Sequence, residues 1–239
     1  MSGDGSRLLD TFTLLISIGA QQQSAAAAAL AVALCNETRE AIKASFAKEW
    51  DVVSNVSLVV HKRYNACSKV MVSLYHMMLK VDELLVCYLQ KPLYNSFVKI
   101  IFANVVKCIV DSYVDNLVLR DNSTSIVVNN ATFEKISGDL LIINYTIEVL
   151  NEKYGFGSIS PTIVNPLSDV VALLKINARM IADFAVDNIG KYFAPAQVLK
   201  IVQNVLIMRN EGKNIADAVI LAVGSNTGNS VGRISSLKR

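Results

Sequence analysis

The chain has 239 residues, 52% of them hydrophobic and only 18% charged, with a mean hydropathy of +0.39 and a formal net charge of +3. Disorder along the whole chain is excluded, because disordered chains are polar and rich in charge. A strongly basic nucleic-acid module is excluded too, since 23 basic residues face 20 acidic ones. The hydropathy raises the question of a membrane span, which needs about 20 nearly uncharged apolar residues. Ser24 to Cys35 is short and lies between Gln21-Gln22-Gln23 and Asn36-Glu37. The stretches Phe97 to Leu119 and Leu173 to Val186 are both interrupted by charges. No span is expected. The start is not cationic, and Asp10 falls where a signal peptide would be apolar, so none is expected either.

In chain order, Ser6 to Cys35 is alanine-rich and reads as helix, with a break near Gly19, and a further helix covers Thr38 to Trp50. No glycine occurs between Gly19 and Gly138, and the only proline there is Pro92. An all-β chain of that length would need turns, and turns favour glycine. From Val53 the apolar residues recur every three or four positions through Val56, Val60, Tyr64, Cys67, Met71, Leu74, Met78, Val81, Leu85 and Tyr88. That spacing is one face of a helix. Unbroken, it would run roughly 50–55 Å to the Lys91-Pro92 break.

A second helix is expected from Leu93 to about Leu119, with Phe97, Ile101, Val105, Cys108 and Leu117 facing inward. A third starts at Asn130 as N-cap and carries the seam Phe133, Ile136, Leu140, Ile143, Ile147, Leu150 and Tyr154. Gly155 to Pro166 reads as a boundary, and Asn165-Pro166 as the start of the next helix. Its stripe, Leu167, Val170, Leu174, Ile181 and Phe184, ends at Gly190. Pro195 opens a helix to Arg209 that Gly212 stops, and a short last helix covers Ile215 to Val223.

The expected fold is all-α: seven to eight helices in elongated antiparallel bundles stacked as a rod. Residues 1–158 form an N-terminal bundle, 159–223 a C-terminal bundle packed on it, and 224–239 a flexible tail. Trp50, Tyr64, Leu74, Leu85, Leu140 and Ile147 are read as structural core. Arg233, Lys238 and Arg239 in the tail carry the whole positive excess. Together with Lys62 and Arg63 they are the candidates for a weak contact with an anionic surface.

Chemistry is sparse. Cys35, Cys67, Cys87 and Cys108 each sit in an apolar pattern, and no pair has CxxC spacing, so four small buried thiols are expected. His61 and His76 lie fifteen residues apart and cannot share a metal on one helix. Tyr154-Gly155-Phe156-Gly157-Ser158 lacks the third glycine of a dinucleotide loop, and Gly224-Ser225-Asn226-Thr227-Gly228 lacks the lysine of a phosphate loop. Asn36, Asn55, Asn122, Asn130 and Asn144 match Asn-x-Ser/Thr as short chance patterns. Met71, Met77 and Met78 read as core filling before a peptide-gripping groove. No catalytic residue, metal or cofactor is expected, nor a nucleic-acid or small-molecule partner.

The order of features resembles a family. Phe46-Ala47-Lys48-Glu49-Trp50 is similar to the Phe-x-x-x-Trp element of the Sec6 family of exocyst subunits. A long helix follows it there with an Asp-Tyr pair, which here reads Arg63-Tyr64. Val105 to Leu117 resembles the family's valine-rich helix running into Tyr-x-x-x-Leu, and Phe133 to Leu140 its next helix, with an acidic residue before a leucine-rich seam. Leu206-Ile207-Met208-Arg209 is similar to the closing Leu-x-x-Arg. The resemblance spans about residues 45–210 and corresponds to the family's C-terminal helical region. It implies a non-catalytic subunit of a vesicle-tethering complex, linking secretory vesicles to the plasma membrane in exocytosis. It further implies other tether subunits and SNARE-type proteins as partners, a cytoplasmic location at sites of secretion, and peripheral membrane contact. The reading that stands beside it is an unrelated all-α adaptor for a protein partner; a third is an α-helical enzyme or carrier with an apolar cavity.

Overall fold

The computed structural model describes residues 4–47, 52–53, 67–88, 91–120, 126–154 and 161–236. Among them the fold is all-α, with eight α-helices and one two-residue strand pair. Helix α1 spans Asp4–Ala47. Strands β1 (Val52–Val53) and β2 (Cys67–Ser68) pair antiparallel, Val52 opposite Ser68. Helices α2 (Lys69–Tyr88), α3 (Lys91–Val114) and α4 (Asn130–Tyr154) follow, α3 running directly into a π-helical turn at Asp115–Leu119. Helices α5 (Pro161–Leu173), α6 (Ile181–Asp187), α7 (Pro195–Met208) and α8 (Lys213–Ser236) complete the chain.

Helix α3 is the centre. Val98, Ile101, Phe102, Val105, Val106, Ile109, Val110, Tyr113 and Val114 are all buried, and exposure is confined to one stripe through Ile100, Asn104, Lys107 and Asp111. A helix with so wide an apolar face must be covered on most sides. Accordingly α1, α2, α4 and α5 all pack against it. Ala27, Ala31, Leu34, Thr38 and Ile42 form the buried stripe of α1, spaced four, three, four and four. The small Ala27 and Ala31 let α1 lie close to α3. The buried cluster then runs without interruption from Ala27 to Val223, so the expected division at residue 158 separates chain segments that share one core.

Several boundaries differ from expectation. α1 is a single helix through Gly19 and through Asn36 to Thr38. A cap residue stops a helix only where the chain also turns, and glycine costs a helix only about 1 kcal/mol. The long helix expected from Val53 begins at Lys69, because Val52 and Val53 are paired with Cys67 and Ser68. The apolar spacing continued across a chain reversal that spacing does not register. Asn129, not Asn130, caps α4: its Oδ1 accepts from the Thr132 backbone N–H at 2.9 Å. Helix α5 starts at Pro161 and carries Pro166 inside it, and the chain bends at 174–177 before α6.

Helix α7 begins at Pro195 as expected and ends at Met208, within a residue of the expected Arg209, but the residue that stops it is Asn210 rather than Gly212. Asn210 takes φ 53°. Its N–H bonds the Ile207 carbonyl at 2.9 Å, and the Glu211 N–H bonds the Leu206 carbonyl at 3.1 Å. This pair of bonds around a left-handed residue is a Schellman stop, which asparagine can serve. Helix α8 continues to Ser236, past the end expected at Val223. The residues from Gly224 on bring no apolar stripe, so their helicity extends the turns that Val219 and Val223 anchor.

Candidate functional site

A concavity opens where α3 passes into the π-helical turn. A π turn holds one residue more than an α turn, and such bulges recur at functional sites. Here the Arg120 N–H reaches back five residues to the Asp115 carbonyl at 2.9 Å. The wider turn buries Asn116, Leu117 and Val118 in succession and leaves Asp115 exposed. The Val118 carbonyl accepts from Asn204 Nδ2 of α7 at 2.6 Å, which joins the turn to the C-terminal helices.

The cleft beside this turn has a volume of about 320 Å³. Arg39 of α1, Asp111 and Asp115 supply its charges, Asn116 and Gln197 its amides, and Phe193 an apolar wall. Most of this polarity is already engaged. Asp111 pairs with Lys107 at 2.6 Å, and Arg39 donates to Asn36 Oδ1 at 3.0 Å. Asn116 donates to the Ser112 carbonyl at 2.8 Å and accepts from Arg120 at 3.3 Å. Ser112 Oγ lies 3.8 Å from Cys108 Sγ, and the cleft lining includes no histidine or cysteine to act as its base. The arrangement can hold a small polar group by charge and amide contacts. Among the described residues, no group of three or more His, Cys, Asp or Glu side chains is placed to hold a metal ion.

A second polar centre lies in the core. The Asp139 carboxylate of α4 accepts from the Ser68 backbone N–H at 2.6 Å and from Tyr113 Oη at 2.7 Å. One side chain thereby joins α4, α3 and β2. Burial pushes the Asp139 carboxyl up to about 6, against the pull of these hydrogen bonds and of the Lys135 charge one turn away. Burial and then the neighbouring Asp139 carboxylate raise Tyr113, and the same two causes push Cys67 up to about 11. Phe46 meets the Tyr113 ring edge-on at 5.2 Å, so the phenylalanine of the motif at 46–50 belongs to this centre.

A third centre sits at the end of α7. Arg209 donates through Nη1 to the carbonyls of Leu173 and Ile176, at 3.2 and 2.6 Å. Its Nε and Nη2 meet Glu211 Oε1 at 3.1 and 2.8 Å. The last carbonyls of α5 need donors, and a guanidinium can serve several at once. Arg209 is the final residue of the Leu-x-x-Arg element at 206–209.

Of the residues expected in the core, Leu74 and Ile147 are buried, while Leu85 and Leu140 are half-buried against the same cluster. Trp50 and Tyr64 lie outside the described residues, as do Lys62, Arg63, Lys238 and Arg239; the side chain of Arg233 is likewise not described. The thiols depart from expectation: Cys67 and Cys108 are buried, Cys35 is half-buried and Cys87 is exposed. Met71 and Met78 are buried against α3 and α4, where the remaining gap of about 10 Å³ leaves no room for a peptide side chain.

Asp139, Tyr113 and Arg209 were not singled out from the sequence as site residues. Asp139 did carry a signal, since it stands three residues after Ile136 and four before Ile143, a charge on the apolar face beside Leu140. Among the described residues, no helix is long and apolar enough to cross a membrane. Comparison with protein-family models, with curated proteins and with solved structures returned no match.

Proposed function

We propose that the chain is a non-catalytic α-helical scaffold that docks a helical protein partner along α1. The observation that carries this is the surface of that helix. α1 has 44 residues, about 66 Å of helix at 1.5 Å per residue. No Asp, Glu, Lys or Arg stands between Asp10 and Glu37. From Leu14 to Ala26 no described side chain is buried, and Leu14, Ile18 and Val32 are exposed at 60%, 42% and 59%. A helix that faces water ordinarily carries charge on that side. Leu14, Ile18, Gln21, Ala25, Ala28 and Val32 instead recur at alternating steps of four and three, all of them exposed. That stripe is the spacing of a seam between helices. It lies on a different side from Ala27, Ala31 and Leu34, which α3 already covers.

Within this reading, the order of the motifs at 46–50, 105–117, 133–140 and 206–209 supports a subunit of an exocyst-like tether, with other tether subunits and SNARE-type proteins as the partners. Two motif residues, Phe46 and Arg209, stand in the polar and aromatic centres that join helices. An unrelated adaptor is the second reading, and the charge-free stripe serves it equally. Affinity purification of the tagged chain tests both, beside a variant carrying Leu14→Glu, Ile18→Glu and Val32→Glu. The proposal expects helical partners with the native chain and their loss with the variant. Equal capture by the two would refute docking on α1, and partners without any tether subunit would leave the adaptor.

A further inference from the structure

Cys35 of α1 and Cys108 of α3 belong to neither the cleft lining nor the Asp139 centre, yet they face each other. Cys108 Sγ donates to the Cys35 carbonyl at 3.3 Å. Cys35 Sγ donates to the Asn104 carbonyl at 3.5 Å, one helical turn before Cys108. Each thiol therefore hangs over the other helix, beside the other cysteine. The buried alanines Ala27 and Ala31, lying two turns and one turn before Cys35, bring the two backbones close. Cys35 is half-buried and open to a small reagent, whereas Cys108 is buried behind it.

We propose that Cys35 and Cys108 are a modification site: a thiol pair that a small-molecule disulfide converts reversibly into a covalent bond between α1 and α3. The step balances as a thiol–disulfide exchange. The Cys35 thiolate attacks one sulfur of the small disulfide, forming a mixed disulfide and expelling a small thiolate. The Cys108 thiolate then attacks the Cys35 sulfur, forming the Cys35–Cys108 bond and expelling the second small thiolate. Two protein thiols are oxidised and one small disulfide is reduced to two thiols, which take up the two protons. Excess small thiol reverses both steps. Burial and the neighbouring Cys108 thiol push Cys35 up to about 11, so the pair is slow near neutrality and quickens as pH rises. The bond would tie α1 to α3 whatever α1 binds.

Oxidised glutathione is the probe, applied to the full chain carrying Cys87→Ser, which removes the exposed thiol. The expected product has lost two hydrogen atoms in its intact mass. Its proteolytic map joins the peptide of Cys35 to that of Cys108, and its rate rises roughly tenfold per pH unit from 7 to 10. It should also unfold at higher urea than the reduced chain, and Cys108→Ser should stop at a mixed disulfide on Cys35. A link between any other pair, a mixed disulfide that persists on Cys35 with Cys108 intact, or a link that forms only in urea would each overturn the proposal.

Discussion

Tyr113 donates its hydroxyl to the Asp139 carboxylate at 2.7 Å in a place where both side chains are fully buried. The bond crosses from α3 to α4, and the Ser68 N–H on the other carboxylate oxygen extends it to β2. A buried carboxylate without such donors would not hold its charge. Burial raises Asp139 from 3.8 to about 6, and these donors hold it from rising further.

The folded chain therefore holds a proton on Asp139 up to about pH 6, which the unfolded chain releases near pH 3.8. The folded state binds more protons between these values, so this group's contribution to stability is full below pH 3.8 and is lost as pH rises through about 6. Two pKa units correspond to about 3 kcal/mol. Asp139→Asn should remove that fall. Urea unfolding at pH 4 and pH 7.5 should show the variant gaining about 2 kcal/mol on the native chain between the two, since part of the change lies below pH 4. Parallel pH profiles would contradict the assignment.

Tyr113→Phe removes one donor and leaves the carboxylate buried. Above pH 6 the variant should lose about 1–3 kcal/mol, the cost of an unsatisfied buried acceptor. The hydrogen bond also lowers the Asp139 pKa, so the fall in stability with pH should shift to higher pH. Thermal melts across pH 4 to 9 read both effects.

Arg209 serves the last carbonyl of α5, the Ile176 carbonyl of the bend that follows and one carboxylate at once. Arg209→Lys keeps the charge and loses the fork. A loss on the order of 2 kcal/mol is expected in chemical unfolding for the bonds that the ammonium cannot reproduce. A lysine variant as stable as the native chain would show that charge alone suffices.

Ala31 and Val32 are neighbours in sequence and opposites in burial, 3% against 59% exposed. Ala31→Leu forces α1 away from α3 and should cost about 1–3 kcal/mol. Val32→Glu should stay within about 0.5 kcal/mol of the native chain. A large loss for the second would place a contact on the face proposed for docking.

Cys87 is exposed, while Cys35 and Cys67 are both pushed up to about 11 and Cys108 is buried. A thiol reagent near neutrality should consume one cysteine quickly and three slowly, and Cys87→Ser should abolish the fast phase.

The sequence by itself determined the class of fold and most of the core. Apolar residues at steps of three and four specify helices wherever they continue, and Val198, Ile201, Val202 and Val205 are buried as that rule requires. The proline at 195 marked a true helix start, because its fixed φ suits the first turn and no N–H is needed there. Local signals failed where the outcome depended on what stood opposite. Asn165-Pro166 looks like a helix start, yet α5 begins at Pro161 and carries Pro166 within it. Val53 to Tyr88 reads as one helix, yet strand pairing takes its first residues. The polar centres were decided by tertiary structure alone. Whether Asp139 is a solvated acid or a buried one depends on Ser68 and Tyr113 arriving from distant parts of the chain. The same holds for the cleft, which forms where α1, α5 and α7 converge on the π-helical turn that follows α3.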